Sequence, residues 1–135
     1  MIRFSVPYSA SVGAVIEVLE PGHARLVLQD RKAVRNHLNC VHALALANAA
    51  ELCSGIAMLA GLGDERRGIV TKLETEYLKK ARGRLVVESK PDIPPPSSEP
   101  VTHLVHADIF DQSGDKVARF TAHWLISQAP QKAAA

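Results

Sequence analysis

From Val41 to Leu62 the chain runs Val-His-Ala-Leu-Ala-Leu-Ala-Asn-Ala-Ala-Glu-Leu-Cys-Ser-Gly-Ile-Ala-Met-Leu-Ala-Gly-Leu, and Glu51 is the only formally charged residue in it. A run of that length makes roughly five or six helical turns. Asn39 is the expected N-cap, and Gly61 and Gly63, followed by Asp64, supply the stop. A surface helix carries a broad polar face, whereas the only polar side chains here are His42, Asn48, Glu51, Cys53 and Ser54. The helix is therefore expected to be enclosed by the rest of the fold. Positions 44, 48, 51 and 55 share one face, so Asn48, Glu51 and Gly55 form a stripe that could border a ligand. Burying a carboxylate costs free energy unless it is paired or its pKa rises, which makes Glu51 either a satisfied structural acid or a poised catalytic one. The run is also long enough to span a bilayer, but Ala and Gly are weakly apolar and an acid sits near its middle, so no membrane span is expected.

The rest of the 135 residues reads as one domain, 1–135, with the tail 128–135 expected to be disordered. The net charge of +2 is spread among interleaved acids, which is not a nucleic-acid footprint. Cys40 and Cys53 lie too far apart along one helix to form a disulfide, so they read as free thiols. Together with the absence of a signal-peptide core at the N-terminus, this points to the cytoplasm. There is no His and Cys cluster at zinc spacing, so no metal is expected, and no glycine-rich phosphate loop or dinucleotide fingerprint.

Strand periodicity surrounds the helix. Residues 13–20 and 23–29 flank Pro21-Gly22 as a hairpin. Residues 101–111 and 116–127 form a second hairpin, with Ala118, Phe120, Ala122, Trp124 and Ile126 on one face. Residues 68–80 fit a strand or a helix equally well on pattern, residues 84–89 resume strand composition, and the proline-rich 91–100 segment is a loop. The order suggests an α+β domain in which an antiparallel sheet of five to six strands wraps one long central helix, the hotdog fold.

Three segments also carry a family resemblance: Asn36-His-Leu-Asn-Cys-Val-His42, then Glu51 nine positions on, then Glu76-Tyr-Leu-Lys-Lys-Ala-Arg-Gly83. In order and spacing they resemble the hotdog acyl-CoA thioesterases of the phenylacetate-degradation and hydroxybenzoyl-CoA type, in the branch where an Asn-His pair opens the motif. The resemblance covers nearly the whole chain and favours a strand for 68–80. It implies hydrolysis of an acyl-CoA or acyl-carrier thioester. Glu51 would be the catalytic carboxylate, Asn36 would place the nucleophile, and His42 would precede the turn whose Ala43 N–H receives the thioester oxygen. The chemistry suits these residues: an apolar setting raises a carboxylate toward working pH, and a helix N-terminus offers free N–H groups where the carbonyl oxygen gains charge. One departure is His42-Ala43-Leu44 where the family has His-Gly-Gly, which restricts close approach to the backbone.

Lys79, Lys80 and Arg82 are the candidates for the nucleotide phosphates, with coenzyme A entering as part of the substrate and not as a cofactor. The resemblance further implies a homodimer or a dimer of dimers, with sheets joined edge to edge and Asn36 and Glu51 contributed by different chains. Structural alternatives stay open: Glu51 as a bonded buried acid, His42 as a cap, Asn36 as a turn residue. Two other functions also stay open. One is a non-catalytic acyl-CoA or lipid-binding module. The other is an enoyl-CoA hydratase or dehydratase, although the His-Phe-Pro-Gly and Asp-His patterns of those enzymes are absent.

Overall fold

The computed structural model describes residues 10–130. In chain order these form β1 (Val15–Glu20), β2 (His23–Leu28), a 3-10 turn (Lys32–Val34), α1 (Ala43–Leu62), β3 (Arg66–Tyr77), β4 (Leu85–Ser89), β5 (Val101–Phe110) and β6 (Lys116–Gln128). All strand pairs are antiparallel, and the six strands lie in the order β1-β2-β4-β5-β6-β3. The sheet curls about α1, which touches every strand. This is the hotdog arrangement. By length and composition α1 could cross a membrane, yet here it is the core helix of the domain.

Small side chains let helix and sheet approach closely. Ala49, Ala50, Cys53 and Ala57 have no exposed surface. The Ala57 carbonyl accepts the Gly22 N–H at 3.2 Å, and Cys53 Sγ lies 3.4 and 3.5 Å from the carbonyls of Ala24 and Val87. The inward face of β6 is the one expected: Ala118, Phe120, Ala122, Trp124 and Ile126 are all buried. Trp124 needs one glycine beside it, Gly68, and packs in ordinary contact with a second, Gly55. A Cβ on Gly68 would strike the indole, and one on Gly55 would lie 3.6 Å from Cζ2. The outward face carries a charged row in register across five strands, Glu76, Arg119, Asp108, Glu88 and Arg25, as alternation requires of a sheet wetted on one side.

Two sequence expectations need correction. The N-cap of α1 is His42, not Asn39. Asn36 Oδ1 accepts the N–H groups of Leu38 and Cys40 at 3.0 and 3.2 Å, folding 36–40 into a turn that puts Asn39 at φ 61° and delays the helix by three residues. The disorder expected from 128 onward does not begin there. Gln128 closes β6 and the Ala129 N–H donates to the Glu65 carbonyl at 2.9 Å, while 131–135 lie outside the described residues.

Candidate active site

The first turn of a helix has four backbone N–H groups without intrahelical acceptors. In α1 three of the four are satisfied locally. His42 N–H donates to the Val34 carbonyl at 2.7 Å, Leu44 N–H to His42 Nδ1 at 3.0 Å, and Ala45 N–H to the His42 carbonyl at 2.9 Å. The Ala43 N–H has no acceptor among the described residues. Ala43 lines a cleft of about 370 Å³ with Asn36, Leu38, Val41, Tyr77 and Lys80. A single free donor, backed by the positive end of a 20-residue helix, thus sits on a mostly apolar cleft.

His42 earns its place by geometry. Because Nδ1 accepts from Leu44, the imidazole proton sits on Nε2, so the ring can donate outward but offers no free lone pair to act as a base. Its side chain lines a separate groove of about 230 Å³ with Val12, Val34 and Leu44, on the other side of the helix start. In this chain His42 caps the helix, and Nε2–H is its remaining polar group for a ligand.

Asn36 does reach the cleft, but its oxygen is spent on the turn, leaving the amide NH₂ as the group available to a ligand. The turn is braced from below. Asp30 accepts from Arg35 Nε at 2.5 Å and from the Gly83 N–H at 2.8 Å, and the Val41 N–H donates to the Ala81 carbonyl at 2.9 Å. The Arg35 hydrogen bond, with that from Gly83, holds the Asp30 carboxyl below its usual range.

The expected cations separate into two kinds. Lys79 lines the cleft, but its ammonium is held by Asp111 at 2.6 Å and Asp115 at 2.8 Å, which push its pKa up. An ammonium bound to two carboxylates is a poor phosphate ligand, so the nucleotide role expected of Lys79 is not supported. Lys80, on the cleft, and Arg82 are exposed and have no hydrogen bond or ion pair among the described residues.

Glu51 lies two turns along α1, half-buried, and its carboxylate has no hydrogen-bond or ion-pair partner among the described residues. Burial pushes its pKa above the ordinary carboxylate value. Asn48 shares its face and is also partly buried. Gly55, expected to border a ligand, is buried against Trp124, whose indole N–H is itself unpaired among the described residues. Cys53 is no nucleophile, since burial, aided by Glu88, pushes its thiol up to about 12. Among the described residues no group of three or more His, Cys, Asp or Glu could hold a metal ion.

One residue at the cleft was not singled out from sequence. Tyr77, the last residue of β3, donates its hydroxyl to the Ala43 carbonyl at 2.9 Å. Its only sequence signal is its position in the Glu76-Tyr-Leu-Lys-Lys segment; the partner is 34 residues away.

Comparison with solved structures places this geometry among relatives. A structural-genomics protein, APC5556, is 31% identical, with a TM-score of 0.83 over 91% of this chain and 82% of its own. PA5026 from Pseudomonas aeruginosa, a protein of unknown function described as a probable thioesterase, is 23% identical, with a TM-score of 0.80 over 92% of this chain and 89% of its own. The smu.793 protein of Streptococcus mutans, solved with acetyl CoA bound, is 15% identical, with a TM-score of 0.75 over 96% of each chain. No curated protein matches the chain. A family model described as a domain of unknown function, DUF4442, matches residues 1–126. The chain is therefore a hotdog-fold protein that belongs to the DUF4442 family.

Proposed function

We propose that the protein hydrolyses an acyl-CoA thioester in a site shared by two copies of the chain. The free Ala43 N–H carries this reading. With its neighbours already satisfied, it is the one backbone donor of the first turn left to stabilise an oxygen that gains negative charge, and the lining of the cleft before it is mostly apolar. Glu51, unpaired and shifted toward neutrality by burial, suits a carboxylate that acts at the thioester carbon as base or nucleophile. The Asn36 amide would orient the attacking group, and Lys80 and Arg82 would meet the coenzyme A phosphates. The thioesterase description of the Pseudomonas protein and the acetyl CoA bound to the Streptococcus protein support the same class of reaction.

Distance argues for two copies. Ala43 and Glu51 are eight residues apart on one helix, so about 12 Å separates them along its axis. A reacting carbonyl must lie roughly 3 Å from both donor and nucleophile, which one protomer cannot arrange. β3 is a 12-residue strand at the sheet edge, with Ile69, Leu73 and Tyr77 exposed, and an unpaired edge of that length is a surface that another strand can cover. A two-fold pairing there would bring a second Glu51 toward the first chain's cleft.

The test is free-thiol release from acetyl-, hexanoyl-, palmitoyl- and phenylacetyl-CoA. Wild type is measured beside Glu51→Gln and Asn36→Asp, the latter keeping the oxygen that holds the turn while deleting the amide donor. Each variant alone should be inactive. Mixed and re-equilibrated, they should recover about a quarter of wild-type activity, because half the dimers then carry one intact site of two. Binding of acyl-CoA without turnover by wild type would replace this reading with the binding module.

A further inference from the structure

We propose that Tyr77 is a positioning residue that aims the Ala43 N–H into the cleft by holding the Ala43 carbonyl; the inference rests on the thioesterase reading above. Neither group needs this bond for solvation. In the single chain Tyr77 is 48% exposed, so water could serve its hydroxyl there, and a first-turn carbonyl with an intrahelical partner keeps a second lone pair that water could also fill. What the bond adds is orientation, at the end of the helix where fraying is easiest.

The phenol stands on a braced support. Tyr77 lies opposite Ala118 in the β3 and β6 register. The next two N–H groups, of Leu78 and Lys79, both donate to the Val117 carbonyl, at 2.8 and 3.3 Å. The Lys79 ammonium is then fastened to Asp111 and Asp115 on the turn between β5 and β6. A chain of contacts thus runs from that turn through Lys79 and Tyr77 to residue 43. It accounts for the failure of Lys79 to present a free charge: Lys79 fixes the base from which Tyr77 reaches. Ala43 is then held on two sides, with its flanking N–H groups bound by Val34 and His42 and its carbonyl bound by Tyr77. An oxyanion donor works only within a few tenths of an ångström of its place, so such restraint matters to rate more than to binding.

Tyr77→Phe removes only the hydroxyl. Amide hydrogen exchange at Leu44, Ala45 and Leu46 should quicken about threefold or more, with the amides beyond Ala50 unchanged. For the best substrate of the acyl-CoA panel, kcat should fall about tenfold while KM stays within about twofold. Unchanged exchange in the first turn overturns the clamp whatever the activity. Faster exchange with unchanged kcat, or a loss confined to KM, overturns the positioning role. If wild type hydrolyses no acyl-CoA, the thioesterase reading fails and the catalytic part of this inference fails with it, while exchange still decides whether the clamp exists.

Discussion

At the start of α1 every first-turn N–H but one has an acceptor inside the protomer, whereas two turns later the Glu51 carboxylate has no partner among the described residues. The difference is one of preorganisation. The donor end is assembled by hydrogen bonds within the chain, with His42 capping, Asn36 shaping the turn and Tyr77 reaching from β3. The acid end is assembled by burial alone, which leaves a charge poorly solvated and ready to take a proton. One half of the candidate site is thus held by hydrogen bonds within the chain, and the other half by packing alone.

The sharpest way to break this contrast is Glu51→Gln. Activity should fall about 10²- to 10⁴-fold while the thermal midpoint holds or rises, because the variant loses a charge that folding disfavours. The pH dependence has a matching sign. The rate of wild type should climb as Glu51 ionises, with a limb above the ordinary carboxylate range that the variant lacks. Stability should move the other way. It is undiminished while Glu51 is protonated in both states, and it falls as pH rises from the unfolded carboxylate's pKa through the raised folded one. A variant that loses activity and melts early would make Glu51 a structural acid.

At the donor end, Ala43→Pro deletes the single free N–H and little else. Proline is favoured at the first helical position, and His42, at φ −63° and ψ 140°, already has the extended conformation that a following proline demands. A loss of about 100- to 1,000-fold in kcat with near-native stability is expected from kinetics and calorimetry. Full activity would remove the oxyanion role from this turn.

Next in size, His42→Ala should cost about 1 kcal/mol of stability through the lost cap, and His42→Asn should restore it, since Asn caps well. Should the Asn variant fold like wild type yet be as inactive as Glu51→Gln, Nε2 has a chemical task beyond capping. The smallest contrast is between neighbouring lysines. Lys80→Gln should raise KM for an acyl-CoA about two- to fivefold, and less so in high salt, as expected for an exposed ion pair. Lys79→Gln should leave KM within that margin and act on kcat instead, because its ammonium faces Asp111 and Asp115.

Much of this was legible in the residues. The lone acid in an apolar run announced an enclosed helix, and the alternation of Ala118 to Ile126 announced the buried face of β6. The segment 68–80 was ambiguous because Thr and Tyr favour a strand while Leu, Glu and Lys favour a helix; pairing with β6 along its length decided for β3. Lys79 and Lys80 read alike as sequence, yet only one faces two aspartates. Gly55 read as an opening beside the acid, yet Trp124, 69 residues away, packs against it.

By itself, then, the sequence determined the element types, the enclosed helix, the isolation of Glu51 and the helix start within three residues. Hydrophobic period, proline and glycine placement and capping chemistry all act over a few neighbouring residues. The His42 cap and the Asn36 turn were open alternatives in the sequence, being bonds between near neighbours; only the tertiary structure decided which backbone donor stays free and that Tyr77 holds residue 43. Each of those depends on which hydrogen-bonding groups are already taken. That follows from strand register and helix packing that bring together atoms from distant parts of the chain, so local pattern carries no record of it.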